Sequence, residues 1–314
     1  MKRCLLFIVL MLVCRMSTAG VQPADMAAHI IGVINKKIND VNDPFKDITN
    51  RLVVYIDNSS PTPGASSTWG SGSPSITFTT SLLDVIFYTA ELDTLTMKDN
   101  RWAPCLKSYS SYLRTSYRKM MLDNQNHTPV TPLIPLEKFG SVCSGIEKLY
   151  PFSGQDKVIR DRKAEDSIGF IYLHELSHLY YRHVNYHVDG LSDEEERKIN
   201  CEMRRQEKEA DILATQKIVK FGWYNSALDI AVWRVMLNLG IIETSRNSTL
   251  DHPSVIERMT YVLEEARADI LATGKQISKE ASDLIDESRK LQEKADKVIG
   301  EFDDETSGTG ECEI

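Results

Sequence analysis

Ile171-Tyr172-Leu173-His174-Glu175-Leu176-Ser177-His178 is the stretch around which the rest of this chain can be read. Wound as an α-helix, it sets His174 and His178 four residues apart on one face, with about 6 Å between their attachment points. Two imidazoles so placed can bind one Zn²⁺ at ordinary bond lengths, with Glu175 beside the metal. Two surface histidines on an amphipathic helix would share that spacing. The flanks Ile168, Phe170, Ile171, Leu173, Leu176 and Leu179 are apolar, however, and mark a core element.

A catalytic zinc of this type needs a third protein ligand and an open position. Metzincins place a glycine and then a third histidine downstream, where this chain has Tyr181 and Val184, so that class is excluded. His183, five past His178, is predicted to swing away from the ligand face, and His187 lies past the predicted helix end. Glu207-Lys208-Glu209-Ala210-Asp211 offers a better source. Glu207 and Asp211 share one helical face while Glu209 points elsewhere. Glu207 completes a His-His-Glu site, and Asp211 is expected to accept the outer N–H of His174. Small Ala210 would let the two helices approach closely. For Glu202 and Glu209 a solvated, charge-rich helix face is the competing expectation.

The chain has 314 residues, 42% of them hydrophobic and 26% charged, which excludes a disordered chain, a collagen-like repeat and a polytopic membrane protein. With 37 Lys and Arg against 45 Asp and Glu, the net charge of −8 disfavours nucleic-acid binding. Lys2 and Arg3, the apolar run Leu5 to Val13 and the small residues Ser17 and Ala19 read as a signal peptide over 1–19. The run is shorter than the roughly 20 residues a membrane span needs, so no integral span is expected in the mature chain. Export across an inner membrane, to a periplasm, is the expectation. A lipoprotein cut before Cys14 is disfavoured by bulky Val13. After cleavage Cys105, Cys143, Cys201 and Cys312 remain, and an oxidising compartment permits disulfides. Cys105 with Cys143 is the expected pair, since both flank the same Pro-rich region. Free buried cysteines are the alternative.

Helical spacing of Met26, Ile30, Val33, Ile34, Ile38 and Val41 predicts a helix over Ala24 to Asn42. Leu52 to Ile56 reads as a strand, Asp57 to Ser75 as a loop, and Ser75 to Thr80 as a half-buried strand of period two. The last runs into a helix capped by Thr80 or Ser81. Tyr109 to Met120 suggests a helix, and His127 to Ser144, with three prolines, a long loop. From Asp166 onward the pattern is almost wholly helical, with stops at Gly222 and Gly240. Ile270, Gly274, Ile277, Ala281, Leu284, Ser288, Leu291, Ala295, Val298 and Phe302 form a weakened heptad seam. Packing on its own domain is the preferred explanation, and self-association through a coiled coil the other. The acidic end reads as a disordered tail.

These motifs resemble the gluzincins, and in detail the HtpX and CAAX-prenyl-protease family. The features shared are His174-Glu175-Leu176-Ser177-His178 followed by Arg182-His183, an extended segment ending in a Leu-Leu helix start over Ile76 to Leu83, and His252-Pro253 with Arg258. The resemblance covers about Leu52 to Leu263. The long insertion Leu92 to Lys163, the short gap from His178 to Glu207 and a missing Asn-Ala-Phe signature depart from it. Lit-type phage-exclusion peptidases, which share the His-Glu-x-x-His and Ala-Asp motifs, are the nearest rival. From the His-Pro resemblance His252 is the first choice for a catalytic oxyanion donor, with Tyr186 and Arg182 behind it. It could instead occupy the open zinc position, or be a structural histidine before a helix starting at Pro253.

The resemblance implies an α+β, predominantly helical fold: a zincin-like catalytic domain with a small β-sheet and a long C-terminal helix. The expected divisions are a signal peptide at 1–19, the metallopeptidase domain at 20–263, a long helix at 264–302 and a tail at 303–314. The implied function is an exported zinc metalloendopeptidase with one Zn²⁺ per chain, held by His174, His178 and Glu207, and Glu175 as general base. Protein segments, unfolded or misassembled, are the expected substrates, with strand Ser75 to Thr80 as their template. A chaperone that holds clients on the same fold, and an interaction protein built on the heptads with zinc as a staple, are the alternatives from other classes.

Overall fold

The two helices that carry the predicted ligands are the longest among the described residues, and their ends are written in the sequence. In the computed structural model, which describes residues 23–70, 72–149, 152–184, 190–223, 235, 253, 255–277 and 279–303, helix α5 (Gly154–Tyr181) bears His174 and His178. It starts twelve residues before Asp166, where the sequence pattern predicts the helical region to begin. Helix α6 (Asp193–Phe221) bears Glu207 and Asp211. Ser192 and Glu195 form a capping box at its start and four acidic residues fill its first turn, which suits the positive end of a helix dipole. Gly222, at φ 83°, ends it as predicted.

The elements before them are α1 (Pro23–Asp40), the short α2 (Lys46–Thr49), strands β1 (Val53–Asp57), β2 (Ala65–Trp69) and β3 (Pro74–Thr79), then α3 (Thr80–Lys98) and α4 (Ala103–Gln125). Thr79, one residue earlier than expected, caps α3 by accepting from the Leu82 N–H. Ile31, Ile34 and Ile38 of α1, Leu82, Leu83 and Ile86 of α3, and Ile168, Leu173 and Leu176 of α5 are buried in one core. α5 packs against α3, α1 and, most extensively, α6. Ala210 and Ala214 of α6 are fully buried.

Two expectations about the sheet need correction. The segment Asp57 to Ser75, read as a loop, contains β2. The strand read as a substrate template, β3, is the central one: the order is β1-β3-β2, with β1 parallel and β2 antiparallel to β3. Its backbone groups are therefore used on both sides, and β2 is the edge strand that α5 faces. Three-ten turns occupy parts of the Pro-rich stretch before α5, and a Cys105–Cys143 disulfide fastens it to α4. Cys201 is disulfide-bonded as well.

The stretch 264–302 is not one helix. α7 (Val255–Ala272) ends at a turn in which Gly274 takes φ 76°, and α8 (Lys279–Asp303) follows. α8 packs on α7, with Arg289 Nε 2.6 Å from Glu264 Oε1. The described part of the seam is thus interrupted at Gly274, and Ile285 and Ser288 of α8 are buried. The fold is α+β and predominantly helical, with a small sheet. Among the described residues no helix is long and apolar enough to cross a membrane. The signal peptide, Gly240, His252, Tyr186, His187, Cys312 and residues 304–314 lie outside the described residues.

Candidate metal centre

One turn of α5 separates His174 from His178, and the Nε2 atoms of the two rings lie 3.0 Å apart. Glu207 reaches across from α6, with Oε2 3.4 Å from His174 Nε2 and Oε1 3.2 Å from His178 Nε2. One ligand atom from each of the three residues lies within 4.8 Å of the others. Two imidazole lone pairs and a carboxylate turned toward one point suit a small divalent cation.

The surroundings favour positive charge at that point. Burial opposes a charge on the His174 ring, but the Glu207 and Asp211 carboxylates outweigh it and raise its pKa to about 10. His174 Nδ1 lies 2.8 Å from Asp211 Oδ1, the contact expected of an outer N–H donor and a fixed tautomer. Asp211 is fully buried. Burial would push its carboxyl up, but Arg258 and His174 hold it well below the usual carboxylate range. Arg258 donates to both its oxygens, and the Tyr261 hydroxyl donates to Oδ2 at 2.7 Å. Arg258 also stands 3.5 Å from Glu207 Oε2. Tyr261 escaped the sequence reading, and Arg258 entered it only through the family pattern. Nothing in local spacing links α7 to Asp211.

Behind His178 the structure adds a contact that the spacing did not indicate. His183 stays off the ligand face, as predicted, but its Nδ1 lies 2.9 Å from His178 Nδ1, on the outer side of that ring, and its Nε2 3.2 Å from Glu209 Oε2. Glu209 points away from the ligand cluster, as predicted, and is held by Arg205, which also binds Glu202. The cause is the helix end: Arg182 adopts the left-handed conformation at φ 57°, which folds His183 back over the last turn. Non-glycine residues seldom adopt it, so an ideal-helix projection could not foresee the contact.

The three residues open onto a cavity of about 640 Å³ between β2 and α5, whose wall includes Glu175. Leu82, Tyr117, Phe170, Ile171, Arg182 and His183 also line it. Trp69, the last residue of β2, donates its indole N–H to the Leu179 carbonyl at 3.1 Å. The Arg182 guanidinium sits 5.0 Å from the Trp69 ring centre. Of the three oxyanion candidates only Arg182 falls within the described residues, and it lines the cleft.

Residues 154–295, a little under half of the chain, match a family model described as Peptidase U49. Over that stretch the protein is similar to a peptidase family, which supports a peptidase, and the match takes in His174, Glu175, His178, Glu207, Asp211 and Arg258. No curated protein and no solved structure matches the chain.

Proposed function

We propose that this chain is an exported zinc metalloendopeptidase of gluzincin type. The observation that carries the proposal is the convergence of His174, His178 and Glu207 at the wall of a cleft that also holds Glu175. The two histidines and Glu207 would hold the ion, with Asp211 orienting His174. Zinc bound there supplies Lewis-acid chemistry, polarising a peptide carbonyl and lowering the pKa of water to about 7. Glu175 takes the proton from the attacking water and returns it to the leaving amine. Among the described residues β2 pairs only with β3, so its other edge can receive an extended segment through backbone hydrogen bonds. Such binding tolerates many sequences and selects unfolded or loop segments, which suits removal of misassembled proteins. The match to a peptidase family over residues 154–295 supports the peptidase assignment, and the His174-Glu175-x-x-His178 and Glu207 motifs support its gluzincin form. The disulfides support export, because such bonds persist in oxidising compartments. A protein that only holds clients would have no use for Glu175.

Elemental analysis of the mature chain and its Glu207→Ala variant, with casein cleavage by wild type and Glu175→Gln, tests the proposal. Expected are about one zinc per chain, lost with Glu207, and cleavage reduced about 10²–10⁴-fold without the general base. Full zinc with no cleavage would point instead to a holding protein, and absence of zinc would overturn the metal assignment.

A further inference from the structure

We infer that His183 and Glu209 form a positioning relay for the ligand His178, so that α6 sets the metal affinity twice: through Glu207 directly and through Glu209 by way of His183. The inference rests on the metal assignment above. An imidazole that binds a cation through Nε2 carries its proton on Nδ1. For His178 that N–H faces His183 Nδ1 at 2.9 Å, so His183 must accept there. A neutral histidine that accepts at one nitrogen carries hydrogen on the other, and His183 Nε2 stands 3.2 Å from the Glu209 carboxylate, which can only accept. The opposite tautomer would set two N–H groups against each other and leave a lone pair facing a carboxylate. The proton positions along His178, His183 and Glu209 therefore follow from the cation at one end and the carboxylate at the other.

The relay is held in place from several sides. The left-handed Arg182 brings His183 back over α5, the Tyr181 ring stacks on it at 5.3 Å and 21°, and Arg205 fixes Glu209. The two ligand histidines are thus supported differently. His174 rests on a fully buried carboxylate, His178 on a neutral ring that leads to a carboxylate 39% exposed. A partner of this kind fixes ring orientation and raises ligand basicity.

Chelator competition on the full chain reads zinc affinity, and thermal unfolding in excess EDTA reads packing without metal. His183→Phe keeps a ring against Tyr181 but makes neither bond. His183→Gln can accept through its carbonyl oxygen and donate through its amide. Glu209→Leu removes the acceptor from an exposed position, and serves if the Phe variant fails to fold. Expected are losses of about 10–100-fold in zinc affinity for the Phe and Leu variants, most of it recovered by Gln, with melting in EDTA little changed. A wild type that holds zinc while the Phe and Leu variants hold it as tightly would overturn the relay, and so would equal losses in the Phe and Gln variants. A wild type that binds no zinc would overturn the metal assignment beneath it.

Discussion

Arg258 grips Asp211 with two parallel bonds, Nε to Oδ2 at 2.7 Å and Nη2 to Oδ1 at 2.8 Å, and both side chains are buried. Removing one partner leaves the other charge buried and unmatched. Arg258→Met is expected to lower stability by about 3–5 kcal/mol in urea unfolding. It should also weaken zinc binding, because Asp211 orients His174. The double variant with Asp211→Asn should lose less than the two single losses added together.

Zinc should stabilise the folded chain by mass action, since the three ligands come together only on folding. At a free concentration of 100 times Kd the gain is about 2.7 kcal/mol. The melting temperature of EDTA-treated protein should climb with added zinc, and Glu207→Ala should flatten that climb.

Trp69 pins the edge strand to the end of α5 by its bond to the Leu179 carbonyl. Trp69→Phe keeps an aromatic ring but loses a bond of about 0.5–1.5 kcal/mol. A looser edge should raise KM for a peptide substrate by about 2- to 10-fold, with kcat changed less. Steady-state kinetics checks the split.

The Cys105–Cys143 bond closes a loop with a sequence separation of 38. Replacing both cysteines with alanine is expected to cost about 2–4 kcal/mol through the unfolded chain. Denaturation of that variant beside the oxidised wild type measures it.

Burial raises the Asp84 pKa to about 6, and nearby Glu137 adds to the effect. Because the folded value lies above the ordinary 3.8, the folded chain keeps a proton that the unfolded chain releases. The contribution of Asp84 to stability therefore improves as pH falls from about 6 toward 3.8 and is lost as pH rises through about 6. Asp84→Asn should raise stability at pH 8 by about 1–3 kcal/mol and change little at pH 4, as read by unfolding across pH.

Local spacing carried much of this molecule. The i, i+4 pair His174 and His178, the Glu207 and Asp211 pair and the Gly222 stop each follow from the period of one helix, and the structure sets them as that period requires. β2 was illegible because Ala-Ser-Ser-Thr-Trp has no apolar alternation; it forms a cleft wall rather than a core layer. His183 and Glu209 lie off the ligand face as their spacing requires, but their contact with each other and with His178 Nδ1 was illegible, because it depends on the left-handed Arg182 past the end of the helix. Tyr261 comes from a helix remote in sequence, and only tertiary packing brings it to Asp211. The heptad spacing runs across Gly274 in the sequence, but there the backbone turns.

Asp211 joins its carboxylate to His174, 37 residues before it, and to Arg258, 47 residues after it. A ribosome therefore delivers both histidines, Glu175 and Glu207 before the guanidinium that steadies them. At ordinary translation rates of about 5–20 residues per second the gap lasts about 2–10 s. During that interval the nascent chain carries a carboxylate destined for burial without the guanidinium that grips both its oxygens in the fold. Synthesis itself thus imposes a delay between making the ligands and completing the site they form.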